Sequence, residues 1–165
     1  MKKFCLILSV VLLVFTACQQ TPKPVKVDTV AERAAIKDLL DKVTMAMKAQ
    51  DVTTLLSFFT DGTVCLGSDP SELWDKQQLK DLWTIILVDT APEHNFISKR
   101  VIKVTSDGKT AVAVYQYFMP MFTPKIPFRN VYYLVKTGDK WMIDFFSTAL
   151  IPKNEDIPKL TDALK

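Results

Sequence analysis

The hydrophobic period of this chain changes at residue 94, and that change limits what it can fold into. Before it, apolar residues recur at helical spacing. Ile36, Leu39, Leu40, Val43 and Met47 make one stripe, with Lys37, Asp38, Asp41 and Lys48 on the opposite face. After it, four runs rich in Val, Ile, Tyr and Phe alternate with a period of two: Phe96 to Thr105, Thr110 to Met119, Phe128 to Thr137 and Lys140 to Ala149. Asp107-Gly108 and Gly138-Asp139 are two-residue hairpin signals, so the first and last pairs of strands are expected to run antiparallel. A helix with a single apolar stripe lies on a layer rather than inside one. Helices first and a long meander afterwards predict an α+β domain, with N-terminal helices packed in the concavity of a curved antiparallel sheet.

Local signals punctuate the first half. Thr29-Val30-Ala31-Glu32 has the pattern of a capping box, Asp51 is placed to cap a short helix carrying Leu55, Leu56, Phe58 and Phe59, and Asp75 with Gln78 opens another helix through Leu79, Leu82, Trp83 and Ile86. Asp61-Gly62 reads as a turn, followed by a short strand from Thr63 to Gly67. The connection from Met119 to Pro127 is long for a hairpin and carries three prolines. Its apolar part, Phe118 to Pro124, reads either as a lid or partner surface or as a stiff connection folded onto the core.

The order of these pieces resembles the nuclear transport factor 2-like superfamily, the cone-shaped fold that includes SnoaL-like proteins and ketosteroid isomerase. The matching stretches are the helix ending in Ala49-Gln50-Asp51, then Leu55-Leu56-Ser57-Phe58-Phe59, Asp61-Gly62, and Gly138-Asp139-Lys140-Trp141-Met142-Ile143, which is similar to a Gly-x-x-Trp-x-Ile final strand. The resemblance covers about residues 30–151. It implies a deep pocket between the helices and the concave face of the sheet, and commonly a homodimer. It implies no single activity, because one cone hosts isomerases, cyclases, hydrolases, adaptors and ligand binders.

The N-terminal segment carries an address. Lys2-Lys3 precedes a twelve-residue apolar stretch, Phe4 to Phe15. As a helix it would span about 18 Å against a hydrocarbon core of about 30 Å, which disfavours a membrane span and leaves a secretory signal. Phe15-Thr16-Ala17-Cys18 resembles a bacterial lipobox, with Phe15 where Leu is usual, and this implies that Cys18 becomes a lipid-modified first residue. The resulting expectation is a signal at 1–17, a lipidated Cys18 and tether at 18–28, the domain at 29–151 and a C-terminal tail at 152–165, whose Leu160 and Leu164 hint at a docked helix. With no Asp after Cys18, the resemblance implies an outer-membrane anchor facing the periplasm. Cys5 goes with the signal and Cys18 takes lipid, so Cys65 has no disulfide partner within the mature chain, and its Val64-Cys65-Leu66 context suits a buried side chain. The formal charge of +3 falls to +1 once Lys2 and Lys3 are removed, too little for a nucleic-acid binder.

Candidate chemistry is sparse. If Trp141 faces the cone, alternation adds Phe145 and Ser147 to its lining, along with Tyr115, Tyr117 and Tyr132, and turns Met142, Asp144, Phe146 and Thr148 away; one bulge would reverse this registration. Trp83 completes the candidate ligand-pocket set, as a stacking surface or as core. Ketosteroid isomerase-like members work with a tyrosine and two aspartates, yet the first helix has no tyrosine and the four long strands hold one carboxylate, Asp144. An enzyme reading rests on Asp144 or Asp61 with a pocket tyrosine; Asp61 and Asp89 lie in turns, where capping and solvation account for them. His94 is the single histidine, without a metal-ligand partner, and reads as exposed or structurally satisfied. No metal or cofactor is expected. The expectation is a lipid-anchored envelope domain that binds a small apolar or amphipathic molecule without catalysis, as a homodimer through the outer sheet face. The alternatives are an isomerase, cyclase or hydrolase, and an envelope protein-interaction module.

Overall fold

The computed structural model describes residues 27–88 and 91–165. The signal-like segment, Cys18, most of the tether and Asp89 lie outside the described residues. Helix α1 (Thr29–Lys48) is capped by Asp28, whose carboxylate accepts from the Val30 and Ala31 N–H groups at 3.0 and 3.1 Å. The expected capping box therefore does not form at Thr29. Glu32 reaches across the fold instead, accepting from Lys136 Nζ and from Trp141 Nε1, the latter at 2.7 Å. Ile36, Leu39, Leu40, Val43 and Ala46 form the buried stripe of α1. Asp51 caps the short helix α2 (Val52–Leu56), and Asp75 with Gln78 forms the complete capping box of α3 (Lys76–Ile86).

The sheet contains β1 (Phe59–Leu66), β2 (Leu73–Trp74), β3 (Asn95–Phe96), β4 (Val101–Val104), β5 (Thr110–Met119), β6 (Thr123–Thr137) and β7 (Lys140–Leu150). Its order is β2-β1-β7-β6-β5, with β3 and β4 both pairing β5. The α+β fold expected from the period change is the one observed, with α1 packed on β4 and β7 and α3 on β1. The sheet is mixed rather than wholly antiparallel, because β1 runs parallel to β7. The run expected as one strand from Phe96 to Thr105 is two short strands on β5, separated at residues 97–100. Asp61-Gly62 lies inside β1, at an irregularity of its pairing with β7, so the strand starts earlier than expected.

Two glycines make the hairpins possible. Gly108 and Gly138 adopt φ of 67° and 61°, which a Cβ opposes. Gly108 is additionally roofed by Val27, whose Cγ1 would sit 2.8 Å from an added Cβ. The long connection expected after Met119 is largely strand: β5 and β6 pair up to Met119 and Thr123 across a tight turn, leaving no detached lid. The tail forms a single-turn 3₁₀ segment (Asn154–Asp156) and helix α4 (Ile157–Ala163), none of whose side chains is fully buried; Asp156, Lys159 and Leu160 face Thr123 to Ile126 across a shallow groove.

Candidate functional site

Strand register decides which side chains see the interior. Tyr133 pairs Phe145 and Leu134 pairs Ile143, so Asp144 is an extra residue on β7, a bulge. Alternation inverts there. Trp141 and Ile143 point inward before the bulge; after it Phe146 and Thr148 line the cavity, and Phe145 and Ser147 do not. The expected registration of Phe145 and Ser147 is thus corrected by one residue.

The cavity lies between α1, α3 and the concave sheet and has a volume of about 310 Å³. Its walls are mostly apolar: Val43 and Met47 from α1, Leu79, Leu82, Trp83 and Ile86 from α3, Phe59 from β1, and Met119, Phe122 and Phe128 at the β5–β6 end. Trp83 stands edge-on to Phe59, with ring centroids 5.4 Å apart. The apolar segment after Phe118 contributes Met119 and Phe122 to this wall.

One end of the cavity is polar, and all of its hydrogen bonds are internal. Asn130 is buried to 3% exposure in the middle of β6. Its Oδ1 accepts from the Tyr117 hydroxyl at 3.1 Å and from the Thr148 hydroxyl, while its Nδ2 donates to Tyr132 Oη at 3.0 Å. Tyr132 and Tyr115 share a further hydroxyl–hydroxyl bond of 2.8 Å. Burial pushes Tyr117 up to about 12 and holds Tyr115 and Tyr132 above the ordinary tyrosine value, so these hydroxyls stay neutral and none is a base. His94 joins this end, its ring centroid 4.7 Å from that of Tyr117. Burial lowers its pKa to about 4, against a hydrogen bond with the Pro92 backbone that raises it, leaving a neutral imidazole. His94 is therefore half-buried, so of the two readings of this residue the exposed one does not hold.

Of the candidate pocket residues, Trp83, Tyr117 and Tyr132 line the cavity. Tyr115 stands behind Tyr132, and its ring carries the Arg100 guanidinium 5.1 Å from the centroid. Arg100 is held by Asp41 of α1; burial raises the Asp41 carboxyl, but hydrogen bonds from Lys37 and Arg100 outweigh it and leave the carboxyl below its ordinary value. Trp141 is away from the cavity, bonded to Glu32. The two candidate acids are elsewhere too. Asp144 accepts from Thr60 Oγ1 at 2.7 Å at the bulge, and Asp61, its side chain fully exposed, pairs with Lys76 at 2.9 Å, which lowers its pKa. The one carboxylate of the cavity wall is Glu72, whose Oε2 lies over Gly67, 2.0 Å from where a Cβ would stand, and which accepts from the Asp69 N–H at 2.9 Å. Burial pushes the Cys65 thiol up to about 12, so it is not a nucleophile. Among the described residues no cluster of His, Cys, Asp and Glu could hold a metal, and no helix is long and apolar enough to cross a membrane.

A SnoaL-like domain profile matches residues 36–146, the span that builds this cavity. The chain belongs to the SnoaL-like domain family. Solved structures agree on the fold: an NTF2-like protein of unknown function from Pseudomonas putida has a TM-score of 0.62 at 14% identity, covering 78% of this chain and 92% of its own. An NTF2-like protein from Cytophaga hutchinsonii has a TM-score of 0.60 at 18% identity, covering 72% and 98%. A putative calcium/calmodulin-dependent protein kinase II association domain from Xanthomonas campestris has 0.59 at 18%, covering 72% and 86%. No curated protein matches the chain. Within this SnoaL-like domain, alternation from Trp141 misplaced Phe146 and Thr148, while Asn130, on the same face of its strand as Tyr132, was not among the expected residues. Asn130 had a signal of its own: asparagine is rare inside strands, and here it interrupts a run of Val, Tyr and Phe.

Proposed function

We propose that this SnoaL-like domain is a lipid-anchored binding protein of the bacterial envelope, facing the periplasm, that holds a small apolar or amphipathic molecule in its cone without catalysing a reaction. One observation carries the reading: an apolar cavity of about 310 Å³ closes on a Tyr–Asn–Thr network whose groups are all neutral, while Asp144 and Asp61 are engaged outside it. That volume is at the lower end of the ~300–1,000 Å³ of small-molecule sites. Acid–base catalysis needs a titratable group near the operating pH at the reacting atoms; the cavity walls supply a histidine whose pKa burial lowers to about 4, tyrosines that burial raises, and one carboxylate, Glu72, which accepts from the Asp69 N–H.

A homodimer through the outer sheet face completes the proposal. Val101, Val114, Val131, Ser147 and Leu66 align as one row across β4, β5, β6, β7 and β1. Val112, Tyr133, Phe145 and Val64 form the next row, and none of these nine residues is fully buried. A two-fold axis on such a face buries both copies of an otherwise wet apolar band. Native mass spectrometry of the protein purified from its host is the test. The expected spectrum shows a dimer with a retained small molecule; a monomer with the bare polypeptide mass in every charge state refutes both parts. For the anchor, radiolabelled palmitate is expected to enter the wild type and not Cys18→Ala, and an unlabelled wild type rejects it.

A further inference from the structure

Gly67 shows where the one carboxylate of the cavity wall is aimed. It follows β1, whose Cys65 pairs Phe146 and whose Leu66 pairs Ser147, so it lies level with Thr148. Cys65 is buried and Phe146 lines the cavity, so alternation turns the missing side chain of Gly67 to the same interior face. The Glu72 side chain fills that place, since a Cβ on Gly67 would collide with its Oε2, Cβ and Cδ. The intervening loop is closed by its own backbone: Gly67 N–H donates to the Glu72 carbonyl at 2.9 Å, and Glu72 N–H donates to the Asp69 carbonyl at 3.0 Å. Oε2 accepts from the Asp69 N–H. Among the described residues Oε1 accepts no hydrogen bond, and no lysine or arginine pairs with the group.

We propose that this carboxylate is a ligand-binding group and that the cone takes amphipathic cations, a short hydrocarbon body ending in an ammonium. This rests on the binding reading above and adds the charge of the head group. A half-buried carboxylate facing an apolar cavity loses hydration, and an opposite charge is what compensates it. Among the described residues the wall holds no lysine or arginine to do so, and His94, with a pKa of about 4, is uncharged at pH 7. Lys48 is exposed to solvent, while Arg100 is bonded to Asp41 and stacked 5.3 and 5.1 Å over Phe96 and Tyr115. Much of the remaining wall is aromatic, Trp74, Trp83, Phe122 and Phe146 among it, and aromatic faces attract cations and not anions. An ammonium brings three donors. Glu72 Oε1 takes one, and the Thr148 hydroxyl, whose own proton goes to Asn130, keeps a lone pair for another. A carboxylate head meets like charge at Glu72, and an alcohol makes the hydrogen bond without the charge.

The experiment uses the full mature chain, residues 18–165 with Cys18→Ser, so that neither lipid nor detergent competes. N-phenyl-1-naphthylamine, an uncharged fluorescent probe, is bound first and then displaced at pH 7 with octylammonium, octan-1-ol or octanoate. The readout is the octanol concentration that displaces half of the probe, divided by that of octylammonium. One charge-assisted bond predicts a wild-type ratio of at least ~10, with octanoate the weakest of the three. In Glu72→Gln the ratio is expected to fall to about 1. Gly67→Ala keeps the charge but puts a Cβ where Oε2 stands, and is expected to bring the ratio below about 3. If probe and octanol bind but the wild-type ratio is itself below about 3, the cation reading is overturned and the pocket reading survives. A wild-type ratio that persists in either variant overturns the assignment to the Glu72 carboxylate. If neither the probe nor any octyl compound binds, both readings fall.

Discussion

Replacing Asn130 with leucine isolates what the polar end of the cone costs and contributes. Leucine keeps the branched outline of asparagine but is larger, so the change removes hydrogen bonds and the triple variant below separates that loss from overpacking. In the wild type Asn130 Oδ1 is the acceptor for both Tyr117 and Thr148 hydroxyls, and Nδ2 donates to Tyr132, which keeps its bond to Tyr115. The variant strands two hydroxyls in an environment where Asn130 and Tyr117 are each only 3% exposed. A buried polar group left without a partner costs about 1–3 kcal/mol, so two give about 2–4 kcal/mol once Tyr117 and Thr148 can turn towards each other. That lowers Tm by on the order of 10 °C for a domain of this size. Removing every stranded hydroxyl reverses most of the loss, because replacing both partners of a hydrogen bond by apolar groups is close to neutral. The triple variant Asn130→Leu, Tyr117→Phe, Thr148→Val is therefore expected to recover at least half of the stability lost by Asn130→Leu alone. Urea unfolding followed by tryptophan fluorescence measures both, with m-values checked for equality. A triple variant no more stable than the single one refutes the reasoning, since the cost would then come from packing and not from unpaired hydroxyls.

Three further outcomes follow from the same structure. Glu32→Gln is expected to cost about 1–3 kcal/mol at pH 7, because charge-assisted bonds to Lys136 and Trp141 are weakened. Those bonds, Lys136 first, hold the Glu32 carboxyl below its ordinary value; the stability it contributes is present above the unfolded pKa and lost as pH falls through the folded one, so denaturation midpoints measured from pH 6 to pH 3 should fall less steeply in the variant. His94, being the single histidine, gives an isolated imidazole signal in proton NMR that is expected to titrate near 4. The unfolded chain takes up that proton near 6.5, so His94 makes stability rise with pH between these values; a midpoint at 6.5 in the folded protein would contradict its burial. Asp144→Asn keeps an acceptor for Thr60 and is expected to leave the small molecule retained in native mass spectra unchanged and stability within about 0.5 kcal/mol. Loss of binding or of any turnover in that variant would revive Asp144 as a member of the site.

The parts of the fold legible in the sequence were those governed by neighbouring residues. Asp51, Asp75 with Gln78, Gly108 and Gly138 act within a turn of the chain, and each behaves as its position implies. Thr29 is the exception. Glu32 has the spacing of a box partner, but a buried indole N–H and a lysine from the last hairpin compete for the same carboxylate and win it. The site was legible only as far as the Asp144 bulge. Up to Ile143 alternation from Trp141 places side chains correctly, and one extra residue then exchanges Phe145 and Ser147 for Phe146 and Thr148. His94 shows the same limit. Nothing beside it in sequence announces a partner, and its burial depends on Tyr117 and Phe96 from two other strands.

By itself, the sequence determined the element types, the hairpins and the α+β class, because these follow from hydrophobic period and from local hydrogen bonds that close within a few residues. The tertiary structure alone decided which groups share the cavity. A bulge forms only where two strands fail to match in length, a carboxylate chooses among partners far apart in the chain, and burial sets whether a histidine or a tyrosine carries charge. These are competitions between distant groups, and their outcome here is a mostly apolar cone with Asp144 and Asp61 turned elsewhere and Glu72 as the one carboxylate on its wall.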